Sequence, residues 1–194
     1  MADSSLPEFW DSRYRDHVMP WDAEGVPAEV HAFAATVRAP MRVLVPGCGS
    51  AHELRCLAET GADVMAIDFS SSAVKLAKRN AGPFADRIHL ADFFHFEPGP
   101  KGLDVVYERA FLCALPRKLW TPYAARMAEL VIRDGRLAGF FFYGDEPKGP
   151  PFGTNPEELH GLLDPAFDLA EDRPAAESLA VFGNGEHWQV WRRR

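Results

Sequence analysis

The sequence predicts an α/β fold built on a mostly parallel sheet with helices on both faces. Short apolar runs alternate with segments of helical spacing, and the stretches that join them are long enough for crossovers. A glycine turn, Gly47-Cys-Gly49, directly follows the first apolar run, and an acid, Asp68, closes the second. Open parallel sheets bind ligands beyond the carboxyl ends of their strands, so these two features also say where function should lie.

In order along the chain, a polar and aromatic N-terminal segment leads into an apolar strand at 41–46, which stops against the glycines. Residues 52–59 place Leu54, Leu57 and Ala58 at helical spacing, and Gly61 supplies the stop. A second strand is read at 63–67. A helix follows at 70–80, with Ala73, Leu76 and Ala77 on one side and Ser70 or Ser71 as its N-cap. Further strands are read at 87–90 and 103–107. The next helix spans 120–132 with Tyr123, Met127, Leu130 and Val131 as its apolar surface, and Asp134-Gly135 ends it. A strong fifth strand occupies 136–143, a short helix 157–163, and late strands 167–170 and 187–192, the last alternating around Trp188, Val190 and Trp191.

Composition bounds what such a fold can serve. The 194 residues are 47% hydrophobic and 25% charged, enough to bury one sizeable core, and the 15 Gly and 16 Pro are scattered rather than gathered into a linker. One domain spanning 1–194 is the expectation. A net charge of -7 argues against nucleic acid as partner, and no apolar run is long enough to span a bilayer. Cys48, Cys56 and Cys113 are odd in number and form no CxxC pair, which points to a reducing, cytoplasmic setting. His89 and His95 lack a recognisable set of acidic partners, so no metal is expected.

The chemistry-bearing residues fall at the ends of the first four strands. Gly47 and Gly49 allow a tight turn and close approach by a ligand, and the helix beyond offers unpaired N–H groups. Asp68 stands nineteen residues after Gly49, where a nucleotide ribose would present its hydroxyls, although an acid there also suits a helix cap. Phe69 beside it offers an apolar surface to an adenine or enters the core. A dinucleotide reading is weakened because the last position of the full glycine fingerprint is His52. After the third strand come Asp92, Phe93 and Phe94, and after the fourth come Glu108 and Arg109.

Taken in order, these blocks resemble the class I S-adenosylmethionine-dependent methyltransferases, and more narrowly the thiopurine S-methyltransferase family with its thiol and halide methyltransferase relatives. The resemblance rests on Phe9-Trp-x-x-Arg-Tyr14 with Trp21, Val45-Pro-Gly-Cys-Gly49 and Asp68-Phe-Ser70. It continues through Asp92-Phe-Phe94, Tyr107-Glu-Arg-Ala-Phe111 and Gly149-Pro-Pro-Phe152. It implies a Rossmann-like, seven-stranded sheet with an antiparallel C-terminal strand, and S-adenosyl-L-methionine as cofactor. Gly47, Cys48 and Gly49 would receive the aminoacyl end, Asp68 the ribose, and Phe69, Asp92 and Phe93 the adenine. Trp10 and Trp21 would sit over the cofactor in a lid-like segment, 1–38. An aromatic strap over the sheet is the structural alternative to that lid.

The resemblance also implies methyl transfer to a small soft nucleophile by direct displacement, with a thiol or thiopurine sulfur favoured. Halide or thiocyanate, tellurium or selenium compounds, and a non-catalytic cofactor-binding module are the alternatives. Glu108 and Arg109 are the catalytic candidates. Glu108 would meet the cofactor's ammonium group or neutralise Arg109, and Arg109 would position the acceptor through its fork of donors. A plain Glu108–Arg109 pair is the structural alternative. Tyr14, Phe152 and, more weakly, Arg13 are further acceptor-side candidates, the Pro147–Pro151 stretch holding Phe152 at a pocket wall or forming only a rigid turn. Cys113, inside an apolar run, is read as packing and not as a nucleophile. A monomer is expected, with a weak homodimer as the alternative.

Overall fold

Strand β1 (Arg42–Pro46) is apolar after its first residue because it is covered on both faces: Val43, Leu44 and Val45 are all buried. A computed structural model describes residues 3–22, 25–145 and 148–194, so Pro147 of the proline-rich stretch lies outside the described residues. Two compact units divide the chain, 1–97 and 98–194. The strand order is β3 (Ile88–Leu90), β2 (Asp63–Asp68), β1, β4 (Leu103–Arg109), β5 (Val131–Phe142), β7 (Glu186–Arg193) and β6 (Phe167–Pro174), the mostly parallel seven-stranded sheet that the sequence leads one to expect.

In the first unit β1 pairs in parallel with β2 (Asp63–Asp68), and β2 with β3 (Ile88–Leu90). Helix α3 (His52–Ala58) follows β1 and buries Leu54 and Leu57. Helix α4 (Ser71–Asn80) follows β2, buries Ala73, Val74 and Ala77, and is capped by the Ser70 hydroxyl, which accepts from the Ala73 N–H. The N-terminal segment, read from sequence only as polar and aromatic, contains two helices. In α1 (Pro7–Arg15) Pro7 starts the helix, and Phe9 and Tyr14 are its buried residues. In α2 (Ala28–Ala34) Val30, Phe33 and Ala34 are among the buried residues.

In the second unit β4 (Leu103–Arg109) pairs in parallel with β5 (Val131–Phe142), which pairs antiparallel with β7 (Glu186–Arg193). Strand β6 (Phe167–Pro174) pairs antiparallel with β7. Helices α5 (Trp120–Leu130) and α6 (Pro156–Leu163) complete it, the second capped by the Asn155 side chain. Three of the boundaries that differ from the sequence reading bear on the second unit. Helix α5 ends at Leu130, because the β-branched Val131 and Ile132 already belong to β5; Leu103 pairs with Val131 across a register shift that absorbs Asp134 and Gly135. Strand β6 runs on to Pro174 through mostly exposed polar residues, as an edge strand can. Glu108 and Arg109 lie within the end of β4, not after it.

Candidate active site

In the first unit the turn after β1 is built on positive backbone φ angles at Gly47 (57°), Gly49 (52°) and Ala51 (56°). A Cβ on Gly49 would lie 2.8 Å from the Tyr14 hydroxyl, so the glycine is needed for space as well as conformation. Asp68 is buried at the end of β2. One of its oxygens accepts from the Gly49 N–H at 3.1 Å and the other from the Ser70 N–H at 2.8 Å. Burial pushes its carboxyl up to about 6 despite those two bonds. Since Ser70 caps α4, Asp68 is released from the capping role and holds the glycine turn instead.

The N-terminal segment closes on this turn. Trp21 donates its indole N–H to the Tyr14 hydroxyl at 3.4 Å and meets Trp10 edge to face, ring centroids 5.2 Å apart. Asp11 of α1 accepts from the Ser70 hydroxyl (2.6 Å) and the Ser72 N–H (2.9 Å) at the start of α4. Asp22 accepts from the Ser50 hydroxyl and is 2.9 Å from His52 Nε2 at the start of α3. Burial works against the charge on Asp22, but the bonds from His52 and Ser50 outweigh it and hold the carboxyl below its ordinary range. Burial, and then Asp68, push the Tyr14 phenol up. Tyr14, expected on the acceptor side, thus packs against the glycine turn.

The third strand's residues are placed differently. Asp92 accepts from the Phe94 N–H (3.0 Å) and lies 2.7 Å from His95 Nδ1, so it holds its own turn. Phe93 is buried, with Phe94 edge to face against it, while Phe69 is half-buried.

In the second unit Glu108 and Arg109 do not pair with each other. Neighbours along a strand point to opposite faces, and these two do. The buried Glu108 carboxyl accepts from the Phe111 N–H (2.9 Å) and the Tyr123 hydroxyl (3.1 Å), and burial pushes it up to about 7 despite them. Arg109 instead donates its Nε–H to Glu186 at 3.3 Å and stacks over Phe140, the guanidinium carbon 4.6 Å from the ring centre. Phe152 donates its N–H to the Cys113 carbonyl (2.7 Å) and lines a small cavity with Cys113, Trp120, Phe140 and Phe142. Cys113 and Cys48 are buried, and burial raises both thiols well above the ordinary value, which disfavours the thiolate a nucleophile needs. Among the described residues no His, Cys, Asp and Glu cluster could hold a metal, and no helix is long and apolar enough to cross a membrane.

Comparison with known proteins settles which of the enzymes built on such a turn this is. The thiopurine S-methyltransferase family model matches residues 5–194. The chain belongs to the thiopurine S-methyltransferase family. It is 30% identical over 176 residues to the thiopurine S-methyltransferase of Photobacterium profundum, covering 81% of this chain and 82% of that one. It is 28% identical over 191 residues to thiocyanate methyltransferase 1 of Brassica oleracea, covering 95% of this chain and 84% of that one. Among solved structures, the 1,6-didemethyltoxoflavin-N1-methyltransferase of Burkholderia thailandensis superimposes with a TM-score of 0.75 at 21% identity, covering 97% of this chain and 87% of that one, and so shares the fold. As a family member this is an S-adenosylmethionine-dependent methyltransferase that acts on a small soft nucleophile.

The methyltransferase's first unit fits that cofactor on its own geometry. A carboxylate has about four lone-pair sites. The two backbone N–H groups leave Asp68 with capacity for a ribose diol, whose donors would relieve the burial that raises its carboxyl. Three residues escaped the sequence reading. Asp11 lies inside the Phe9–Tyr14 motif as an unremarked position, and Asp22 directly follows Trp21. Glu186 shares the buried face of β7 with Trp188 and Val190, and an acid in the phase of an apolar alternation was the available signal.

Proposed function

We propose that this methyltransferase transfers the methyl group of S-adenosylmethionine to a small sulfur acceptor, a thiol or thiopurine-type sulfur, with Arg109 as the residue that meets the acceptor. The observation that carries it is the Arg109 guanidinium, stacked on Phe140 and tied down through Nε, which offers its remaining N–H donors in a fixed orientation. Bound S-adenosylmethionine supplies the methyl on a sulfonium sulfur. Asp68 would take the ribose hydroxyls, the turn at Gly47, Cys48 and Gly49 would receive the aminoacyl end, and Phe69, Phe93 and Asp92 would flank the adenine. The edges and faces of Trp10 and Trp21, within the lid-like segment 1–38, cover the cofactor and keep out water.

The acceptor sulfur would attack the methyl the cofactor supplies, the departing sulfur keeping the electron pair of the bond it loses, and the thiol proton would pass to water. Positioning therefore does most of the work, and no residue need act as a covalent intermediate. Phe152 forms an apolar wall on the acceptor side. Glu108, engaged by Phe111 and Tyr123, shapes the turn that presents Arg109 rather than touching the reacting atoms. The protein acts as one domain, a monomer in the cytoplasm.

The kinship with a thiocyanate methyltransferase favours one second reading, a pseudohalide or halide acceptor. Purified protein with S-adenosylmethionine should yield methylated thiol or thiopurine in a mass-spectrometric screen that also contains iodide, thiocyanate and tellurite. Exclusive methylation of iodide or thiocyanate would replace the sulfur reading with the second one.

A further inference from the structure

Arg109 is held by a carboxylate that the methyl-transfer reading does not use. Glu186, at the first position of β7, is 2% exposed. One of its oxygens takes the Arg109 Nε–H at 3.3 Å; the other takes the Ser178 hydroxyl at 3.0 Å and the Leu179 N–H at 2.5 Å. The two side chains are 10% and 1% exposed, so water screens the pair weakly. Three donors, one from β4 and two from the adjacent residues Ser178 and Leu179, fix the carboxylate, and the carboxylate in turn fixes the guanidinium over Phe140.

This arrangement separates two properties of arginine that usually act together. Its charge is matched by a buried opposite charge, so a free anion approaching it meets little net attraction. Its hydrogen-bond donors are not used up, because the contact is made through Nε and the Nη hydrogens remain to be shared. A site of that kind rewards an acceptor carrying a lone pair beside its sulfur and gives little to a bare ion, which must also shed its hydration to enter.

We infer that Glu186 is a specificity-determining residue, one that cancels the charge of Arg109 while keeping its donors in place and so selects an uncharged sulfur acceptor over a small inorganic anion. The inference rests on the reading of Arg109 as the acceptor-side residue.

The test compares 2-mercaptoethanol with iodide as acceptors for the wild-type protein, Glu186→Gln and Glu186→Asp. Glutamine keeps a carbonyl oxygen for Leu179 and removes the charge; aspartate keeps the charge on a shorter arm. The kcat/KM ratio of iodide to thiol should rise about tenfold or more in Glu186→Gln and stay near the wild-type value in Glu186→Asp. Equal losses for both acceptors in Glu186→Gln would mark Glu186 as purely structural and overturn the inference. Iodide titrated calorimetrically into protein saturated with S-adenosylhomocysteine gives a readout without turnover: binding should be gained in Glu186→Gln, and its absence there overturns the inference. Should Glu186→Gln not fold, the wild type still decides, since iodide used as well as the thiol would contradict charge cancellation. A wild-type protein that binds S-adenosylhomocysteine yet methylates no sulfur compound sinks the sulfur-acceptor reading, and the iodide titration still judges Glu186 separately.

Discussion

Asp68 and Arg109 each end a strand, one in each unit, but different kinds of partner hold them. Asp68 is gripped by backbone N–H groups of Gly49 and Ser70, which no substitution other than proline can remove. Arg109 is gripped by side chains, stacked on Phe140 and ion-paired with Glu186, seventy-seven residues further on. The first grip is set by the path of the chain, which Gly49 keeps tight. The second can be retuned by a single substitution. If Asp68 holds the cofactor and Arg109 meets the acceptor, as proposed, the cofactor site stays constant while the acceptor site can vary, which suits a fold that serves several soft nucleophiles.

The largest effect that would break this contrast is expected at Asp68. Asp68→Asn removes the charge-assisted bonds to the ribose and places an amide donor among the N–H groups of Gly49 and Ser70. Bonds to a charged group contribute about 1.5–3 kcal/mol each. Affinity for S-adenosylhomocysteine should therefore fall by about a hundredfold or more, read by calorimetry. Unchanged affinity would remove Asp68 from the cofactor site.

Arg109→Met comes next. It deletes both the charge and the donors that face the acceptor, so acceptor-side kcat/KM should fall roughly tenfold to a hundredfold while S-adenosylhomocysteine binding stays as it was. Loss of thermal stability with normal acceptor kinetics would instead make Arg109 and Glu186 a structural pair.

The smallest expected effect sharpens the comparison through pH. Asp68 and Glu108 are both carboxyls pushed up by burial, to about 6 and about 7. The folded protein therefore keeps protons that the unfolded chain gives up in the range between about 4 and 7. Stability should rise as pH falls from 8 toward 5, and that gain is lost again as pH rises through these values. Cofactor affinity should move the other way, weakening as Asp68 takes up its proton near pH 6. Urea unfolding of Glu108→Gln at pH 8 and pH 5.5 should show a flatter dependence than the parent; an identical slope would mean that Glu108 does not titrate there.

Much of the first unit was legible because its signals are local. A strand apolar after its first residue, glycines at positive φ and an acid at the next strand's end all lie within residues 42–68, and each has its own physical reason to be there. Helices α1 and α2 were not legible. Tryptophan and tyrosine mask the helical spacing of the first, and the second is a seven-residue element held by the burial of Val30 and Phe33. In the second unit Val131 and Ile132 continue the helical spacing of α5, and pairing with Leu103 makes them a strand. The pairing of Arg109 was hidden for the same reason. Glu108 is its neighbour in sequence but lies on the opposite face, while Glu186 is distant in sequence and shares the face.

That opposition of faces also guards the alignment of β4 during folding. In the native register Glu108 lies opposite Gly139 and Arg109 opposite Phe140. A Cβ at position 139 would fall 1.9 Å from the Glu108 carbonyl oxygen, so the glycine admits β4 at this height and a bulkier neighbour does not. Slippage by one residue would turn every side chain of β4 over. Glu108 would then face Glu186, two buried acids together, and Arg109 would be driven against Tyr123 with no counter-charge. The misaligned strand is therefore penalised by charge, and Glu108 and Arg109 keep β4 from settling one step out of place.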